Sequence, residues 1–332
     1  MKKTARVIMT AMVIVAALLT SACQNGNAKA NESGEKTYNI GIVQPVEHKA
    51  LDAAKNGFIA ALSDNGYKAG ENVNYDMQNA QGDMSNLSTI GDRFVNNKVD
   101  LVLAIATDPA QSMAAKTTTI PIIGTAITSF SIAGLVDSEE KPGGNITGTS
   151  DMNPVAEQIE LITELVPDIE TIGLIYNNGE DNSVLQADIA KEKIEALGLK
   201  WSEVTVLNSN EIQQAMQSLV NKCEAVYIPT DNILASAMPT VHSVAQESKT
   251  PVICAEAGMV EEGGLASMGA VNYYDLGYKA GLMAVEVLEG SDPAQMPIQY
   301  ADPGGDIIIN GVVADEIGYE VPEELKKYVV YP

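Results

Sequence analysis

The 332-residue chain predicts an α/β protein made of two Rossmann-like lobes, each with a parallel central sheet, joined by three hinge crossings. Three observations lead there. Short apolar runs of strand type alternate with helical patterns, this alternation occurs twice at nearly the same spacing, and surplus segments lie between and after the two halves. The first half opens on Ile40-Gly41-Ile42-Val43 and reaches Ile120-Pro121-Ile122-Ile123; the second opens on Ile172-Gly173-Leu174-Ile175 and reaches Thr250-Pro251-Val252-Ile253. Residues 40 and 120 are 80 apart and residues 172 and 250 are 78 apart, so two units of one plan are implied.

In chain order, Lys2, Lys3 and Arg6 precede an apolar run over residues 7–19 that only Thr10 interrupts, and Thr20-Ser21-Ala22-Cys23 follows. A run this short falls below the roughly 20 residues that a helix needs to cross the hydrocarbon core. The pattern is that of a signal peptide over residues 1–22, with Cys23 the first mature residue. It resembles a bacterial lipobox, whose cysteine is diacylated, except that Thr20 stands where leucine is usual. Ordinary secretion with a free Cys23 is the competing reading. Residues 24–36 carry no apolar side chain larger than alanine and read as a flexible tether. The remaining 296 residues suit two cores. The lobes are expected over 37–150 plus 276–302 and over 151–275 plus 303–332.

Within the first half, a helical face of Leu51, Ala54, Phe58, Ala61 and Leu62 ends at Gly66; its counterpart carries Ala190, Ile194 and Leu197 and ends at Gly198. The next strands are 73–77 and 204–207, each followed by polar turns that open helices, with Gln81 and Asp83 read as caps in the first half. A buried strand over 101–106 then ends in Thr107-Asp108-Pro109, and its partner over 225–229 ends in Thr230-Asp231-Asn232. The surplus pieces place hinge strands near 148–153, 270–275 and 301–306, a helix over 276–288, a strand at 307–310 and an amphipathic helix near 323–328.

Loss of residues 1–22 removes three cations and no acid, leaving 17 Lys and Arg against 44 Asp and Glu, a formal charge of −27. Such a surface repels nucleic acid, and no basic patch offsets it. Cys223 and Cys254 sit beside apolar runs without metal-ligand spacing and read as buried free thiols, with a disulfide as the alternative. His48 and His242 are the only histidines, too few for a histidine-rich metal site. The sequence has no G-x-S-x-G, no Walker loop and no G-x-G-x-x-G after a strand, so no enzyme and no cofactor is expected.

Six segments carry a family resemblance when taken in order: Ile40-Gly-Ile-Val-Gln44-Pro-Val-Glu-His48-Lys-Ala-Leu-Asp52, Asn79-Ala-Gln-Gly-Asp83, Ala104-Ile-Ala-Thr107, Asn145-Ile-Thr-Gly-Thr-Ser150-Asp151, Pro229-Thr-Asp231-Asn232, and Tyr273-Tyr-Asp-Leu-Gly277. From about residue 38 onward the chain resembles the ABC transporter substrate-binding proteins of the tryptophan/tyrosine (TrpX-like) type, with the type I periplasmic-binding-protein fold. One departure is that Ser129-Phe130 stands where an aspartate and a proline are usual. The resemblance implies a lipid-anchored extracytoplasmic receptor that passes a small solute, an aromatic amino acid above all, to an ABC permease and its ATPase. Membrane contact would be through the anchor only. A sugar or nucleoside ligand, or a receptor serving a separate sensor, are the alternatives; with Trp201 the sole tryptophan, an aromatic sugar platform is hard to find.

Open parallel sheets bind ligands beyond the carboxyl ends of their strands, where helix amino termini present unpaired N–H groups to anions. Thr107-Asp108-Pro109-Ala110 is such a start, with a plain helix cap as the bland alternative. By resemblance, Thr107 and the loop Thr125-Ala126-Ile127-Thr128 take an α-carboxylate. A buried ammonium needs acidic partners, for which Glu256, Asp231 and Asp151 are candidates; Asp231 also fits as an N-cap and Asp151 as a hinge turn. Gln44 resembles a ligand-facing position. Thr230 and Asn232 flank Asp231, and Asn177, Asn182 and Ser183 close from the second lobe. His48 is expected to pair with a neighbouring carboxylate, and Tyr176, Phe130, Tyr273 and Tyr274 are candidates to stack on an aromatic side chain.

Overall fold

The computed structural model describes residues 36–269, 271–302 and 307–332. The expected signal peptide, Cys23, most of the expected tether and the parts of two expected crossings at residues 270 and 303–306 lie outside the described residues.

In the first lobe, strands β1 (Tyr38–Gln44), β2 (Val73–Asn79), β3 (Leu101–Ile105), β4 (Ile122–Ile127) and β5 (Ile146–Ser150) alternate with helices. In the second, β6 (Thr171–Asn177), β7 (Lys200–Val206), β8 (Ala225–Ile228), β9 (Val252–Cys254) and β10 (Ala266–Met268) do the same. The chain then supplies β11 (Gln299–Tyr300) to the first sheet and β12 (Ile307–Asn310) and β13 (Val329–Val330) to the second. The sheet orders are β11-β5-β4-β3-β1-β2 and β13-β12-β10-β9-β8-β6-β7. The duplication read from the spacing is therefore a duplication of topology. All pairings are parallel except β10 with β12.

Each sheet is covered on both faces, as near-continuous apolar strands require. Alternate residues divide between two cores: Ile40, Ile42, Leu101 and Leu103 face one side, and Val43, Val102 and Ala104 the other. In the second lobe Ile172, Leu174 and Tyr227 oppose Ile175, Val226 and Ile228.

The helix Lys49–Asp64 buries the five apolar positions its pattern predicts. It lies against the helix Tyr273–Leu288 so closely that a Cβ on Gly57 would sit 2.0 Å from the Tyr274 carbonyl oxygen, and one on Gly277 would sit 1.9 Å from that of Ala54. Small residues thus let the late helix dock on the first lobe.

Four expectations need correction. The counterpart helix ends at Ala196, so Leu197 is its C-cap residue and is 40% exposed rather than buried. The segment Glu323–Tyr328 is a 3₁₀ turn, not an amphipathic α-helix. Tyr273, Tyr274 and Asp275 are not a hinge strand: Asn272 caps a helix there, accepting from Tyr274 N–H at 3.1 Å and Asp275 N–H at 3.2 Å. The first crossing is strand only as far as Ser150. Both Cys223 and Cys254 are free thiols.

Candidate functional site

Both sheets have the order in which the first strand is flanked by the second and third, so the winding direction reverses between β1 and β3 and between β6 and β8. Crevices open at the carboxyl ends of strands at such switch points. Gln44 ends β1 and Thr107 follows β3; Asn177 ends β6 and Thr230-Asp231 follows β8. The sequence candidates therefore converge on two facing crevices.

The backbone is strained at this edge. Ala106 (φ +77°) and Ala126 (φ +55°) both occupy the left-handed region that disfavours a Cβ. Next to Ala126, the β4–β5 register shifts between Gly124 and Ile127. Gly148 permits this close approach, since a Cβ there would fall 1.9 Å from the Gly124 carbonyl oxygen. The bulge carries Thr128 to Asp151, whose Oδ1 accepts the threonine hydroxyl at 3.2 Å.

Asp151 is 1% exposed, and its Oδ2 accepts the Tyr273 hydroxyl at 2.9 Å. Burial raises its pKa to about 6 despite these donors. Asp231 caps its helix, accepting from Leu234 N–H at 2.8 Å, and its other oxygen accepts Asn177 N–H at 2.6 Å, which ties the ends of β8 and β6 together. Burial, then the charge of Glu180, push its pKa up to about 8. Glu180 accepts from Asn232 Nδ2 at 2.6 Å and from Asn177 Nδ2 at 3.2 Å. Glu256, which is 3% exposed, has an Oε2 that accepts no hydrogen bond. Burial, Asp151, Asp231 and Glu180, in that order, raise its pKa far above the usual carboxylate range.

Four buried carboxylates thus share this region, and no lysine or arginine hydrogen-bonds or ion-pairs with any of them among the described residues. Two amide oxygens, Asn153 Oδ1 and Asn182 Oδ1, are likewise buried without a donor. Both amides are oriented by Thr230: Asn153 Nδ2 donates to its Oγ1 at 2.9 Å and Asn182 Nδ2 to its carbonyl at 3.0 Å. Ser183 Oγ donates to the same carbonyl at 3.0 Å.

Contacts across the cleft join the lobes. Gln186 Nε2 donates to Thr128 Oγ1 at 3.2 Å, His48 Nε2 meets Asn232 Oδ1 at 3.3 Å, Gln111 Nε2 donates to Asp181 at 2.9 Å, and Lys49 pairs with Glu261 and Glu262. A crevice of about 520 Å³ opens from Glu256 between Glu47, His48 and Asp52 of the first lobe and Ser236, Pro239 and Glu262 of the second.

Thr107, Thr125 and Thr128 are buried around the first-lobe strand ends, and Thr125 accepts the Thr149 hydroxyl at 2.9 Å. Gln44 spends its amide within its own lobe, donating to Asp52 and accepting from Lys55, each at 3.3 Å. His48 pairs with Asn232 of the other lobe rather than with a neighbouring carboxylate, because the helix start aims it across the cleft. Of the four aromatic candidates, only Tyr273 reaches the carboxylates. Phe130 is core, stacked over Gly124; Tyr176 donates to Glu203 beneath Lys191; Tyr274 is 44% exposed. Asp83 caps its helix, but Gln81 does not.

The family model for ABC transporter substrate binding proteins matches residues 39–330. The chain belongs to that family. It is 44% identical over 308 residues to the tyrosine-binding protein of Clostridioides difficile, covering 91% of this chain and 89% of the relative. A Streptococcus pneumoniae domain solved in complex with L-Trp is 40% identical, with a TM-score of 0.84 over 89% of this chain and 100% of that one. The ligand-free, open structure of a substrate-binding protein with adhesive properties from Clostridium difficile is 44% identical, with a TM-score of only 0.66 over 89% of this chain and 99% of that one. The higher identity goes with the poorer superposition, so the lobe arrangement of this substrate-binding protein is nearer that of the L-Trp complex.

Sequence reasoning missed Asn153, Glu180, Gln158 and Gln186. Gln158 positions Glu256: its Nε2 donates to the Ala255 carbonyl at 3.2 Å while its Oε1 accepts the Tyr227 hydroxyl at 2.6 Å. Gln186 Oε1 accepts Thr230 N–H at 3.1 Å. The signal was available, since both glutamines interrupt apolar helix faces at buried positions.

Proposed function

We propose that this protein is the extracytoplasmic receptor of an ABC importer, anchored through a lipidated Cys23, that captures an aromatic amino acid between its lobes and presents it to the permease. The observation that carries the amino-acid reading is Glu256: a buried carboxylate with an unpartnered oxygen, amid three other buried carboxylates, none paired with a lysine or arginine among the described residues. An ammonium is the ligand group that such a site stabilises, whereas a neutral sugar leaves the charge uncompensated. The metal alternative lacks geometry, since no three His, Cys, Asp or Glu side chains among the described residues are grouped to hold an ion.

In this reading Glu256 faces the α-ammonium with Asp151 and Asp231 behind it. Thr107, Thr125, Ala126 and Thr128 receive the α-carboxylate at the amino terminus of the helix Thr107–Ala114. Gln44, Asn177, Ser183, Thr230 and Asn232 complete the walls. The aromatic preference rests on the tyrosine- and L-Trp-binding relatives and on Tyr273. Closure would signal occupancy, because ligand held by one lobe gains its remaining bonds only when the other arrives. Binding of L-tyrosine or L-tryptophan at 100 times its Kd should stabilise the protein by ~2.7 kcal/mol in thermal-shift titration. Indifference to all amino acids would overturn the assignment.

A further inference from the structure

Tyr273 stands between two buried carboxylates of the cleft. The Tyr273 hydroxyl has one proton and two carboxylates within reach, Asp151 at 2.9 Å and Glu256. Asp151 has the stronger claim as the anion. It already accepts from Thr128, whose own oxygen accepts from Gln186, so the threonine proton is free to point at Asp151. Asp231 and Glu180 also accept hydrogen bonds, from backbone and asparagine N–H groups at helix starts. Glu256 is poorer in donors: its Oε2 is unpartnered, and the Tyr273 hydroxyl that faces it has a single proton and lies 2.9 Å from Asp151 as well.

We infer that the empty closed cleft holds one proton on Glu256 and exchanges it for the ligand's ammonium. The inference rests on the amino-acid reading above and adds the proton to it. The exchange balances: a neutral carboxylic acid and a cationic ligand become an ion pair, one O–H bond breaks, and one proton leaves to solvent while the ammonium keeps all three of its own. The exit is at hand, because Glu256 lines the 520 Å³ crevice that reaches the surface.

Asp151 and Asp231 also hold protons more tightly than free carboxylates, but both oxygens of each accept hydrogen bonds, whereas Glu256 Oε2 accepts none. Asp151, Asp231 and Glu180 act on it as negative charges, which favours the protonated form, and Cys254 beneath it is a thiol held neutral by burial. At the crevice, His48 is kept neutral by burial, and Lys49 is held by Glu261 and Glu262. Tyr273, on the helix that returns to the first lobe, is shared between Asp151 at the first crossing and Glu256 of the second lobe. The exchange therefore takes place where the lobes join.

Isothermal titration of the mature chain with L-tyrosine and L-tryptophan, in phosphate, HEPES and Tris at pH 7, tests this. The expected result is release of close to one proton per ligand, read from the dependence of heat on buffer ionisation, with affinity rising up to ~10-fold per pH unit between pH 5 and 7. Glu256→Gln preserves shape and should bind more weakly, with proton release at pH 7 reduced by close to one per ligand and a shallower pH profile, any remainder coming from Asp151 and Asp231. Binding without proton release in the native protein would overturn the exchange and leave the amino-acid reading standing. Proton release undiminished in Glu256→Gln would remove Glu256 as its source. No binding of any amino acid would instead sink the reading on which the exchange rests.

Discussion

Closure strength can be examined through Lys49, which leaves the first lobe to meet Glu262 at 2.9 Å and Glu261 at 3.1 Å on the second. Its pKa is raised by these partners, Glu262 first. The side chains are 52%, 38% and 46% exposed, so solvent screens the interaction and the raised pKa does not translate into stability in full. Exposed pairs contribute about 0.2–1 kcal/mol, and both acids share one ammonium, so the latch is worth at most ~1 kcal/mol. At 1.36 kcal/mol per decade, that is up to ~5-fold in the closed-to-open ratio. Because ligand affinity includes closure, Lys49→Ala should raise Kd for L-tyrosine by about 2–5-fold in 20 mM salt, measured by calorimetry. The difference should vanish in 1 M salt, where charges are screened within ~3 Å. Glu262→Ala should weaken binding in the same direction and be less than additive with Lys49→Ala. A loss above ~30-fold, or one that survives high salt, refutes the latch and makes Lys49 a ligand contact.

Three further outcomes follow from the packing and charge. Gly277→Val should destabilise the protein by at least ~3 kcal/mol in urea unfolding, because its Cβ would enter the Ala54 carbonyl 1.9 Å away; a change below ~1 kcal/mol would show that the helices can part cheaply. Thr128→Val removes one hydroxyl that serves both Asp151 and Gln186, and should cost about 1–3 kcal/mol of ligand binding with little change in the secondary structure seen by circular dichroism; unaltered affinity would detach this loop from the site. For the ligand-free protein, Asp151, Asp108 and Asp231 have pKa values raised by burial to about 6, 7 and 8 from 3.8, so the folded state binds more protons than the unfolded chain across this range. Their contribution is fully present below the unfolded value and is lost as pH rises through 6–8, so urea midpoints should fall from pH 5.5 to pH 8.5 in 0.5 M salt, and a rise would contradict it.

Much of the fold was legible because it is written in local chemistry. Apolar runs such as residues 101–106 and 225–228 are buried on both faces, and their repetition at near-equal spacing reported the duplicated sheet directly. The strand-end motifs Thr107-Asp108 and Thr230-Asp231 pointed to the candidate crevice for the same reason, since a switch point is a property of strand order. Contacts between segments far apart in the chain were not legible. Nothing local to Glu180 reveals that it gathers Asn177, Asn182 and Asn232. Nor does the sequence near Tyr273 distinguish it from Tyr274, although a one-residue step along the helix leaves the first buried against Asp151 and the second exposed. Leu197 failed for a smaller reason: apolar periodicity does not mark the residue at which a helix stops.

The strained and charged features of this cleft have a common logic. Ala106 and Ala126 hold left-handed backbone where the strand ends turn into the cleft, and four carboxylates are buried without a lysine or arginine partner among the described residues. Each lowers the stability of the empty closed form. A clamp that closed well while empty would give its permease no signal, since a ligand shifts an equilibrium only by its differential affinity for the two states. Acidic groups concentrated at the lobe junction penalise empty closure most at the pH where they are ionised. Under the proposed function, the ligand's ammonium relieves that penalty only after the lobes meet. On this argument the Lys49 latch must stay weak, because a strong latch would close the clamp without its solute.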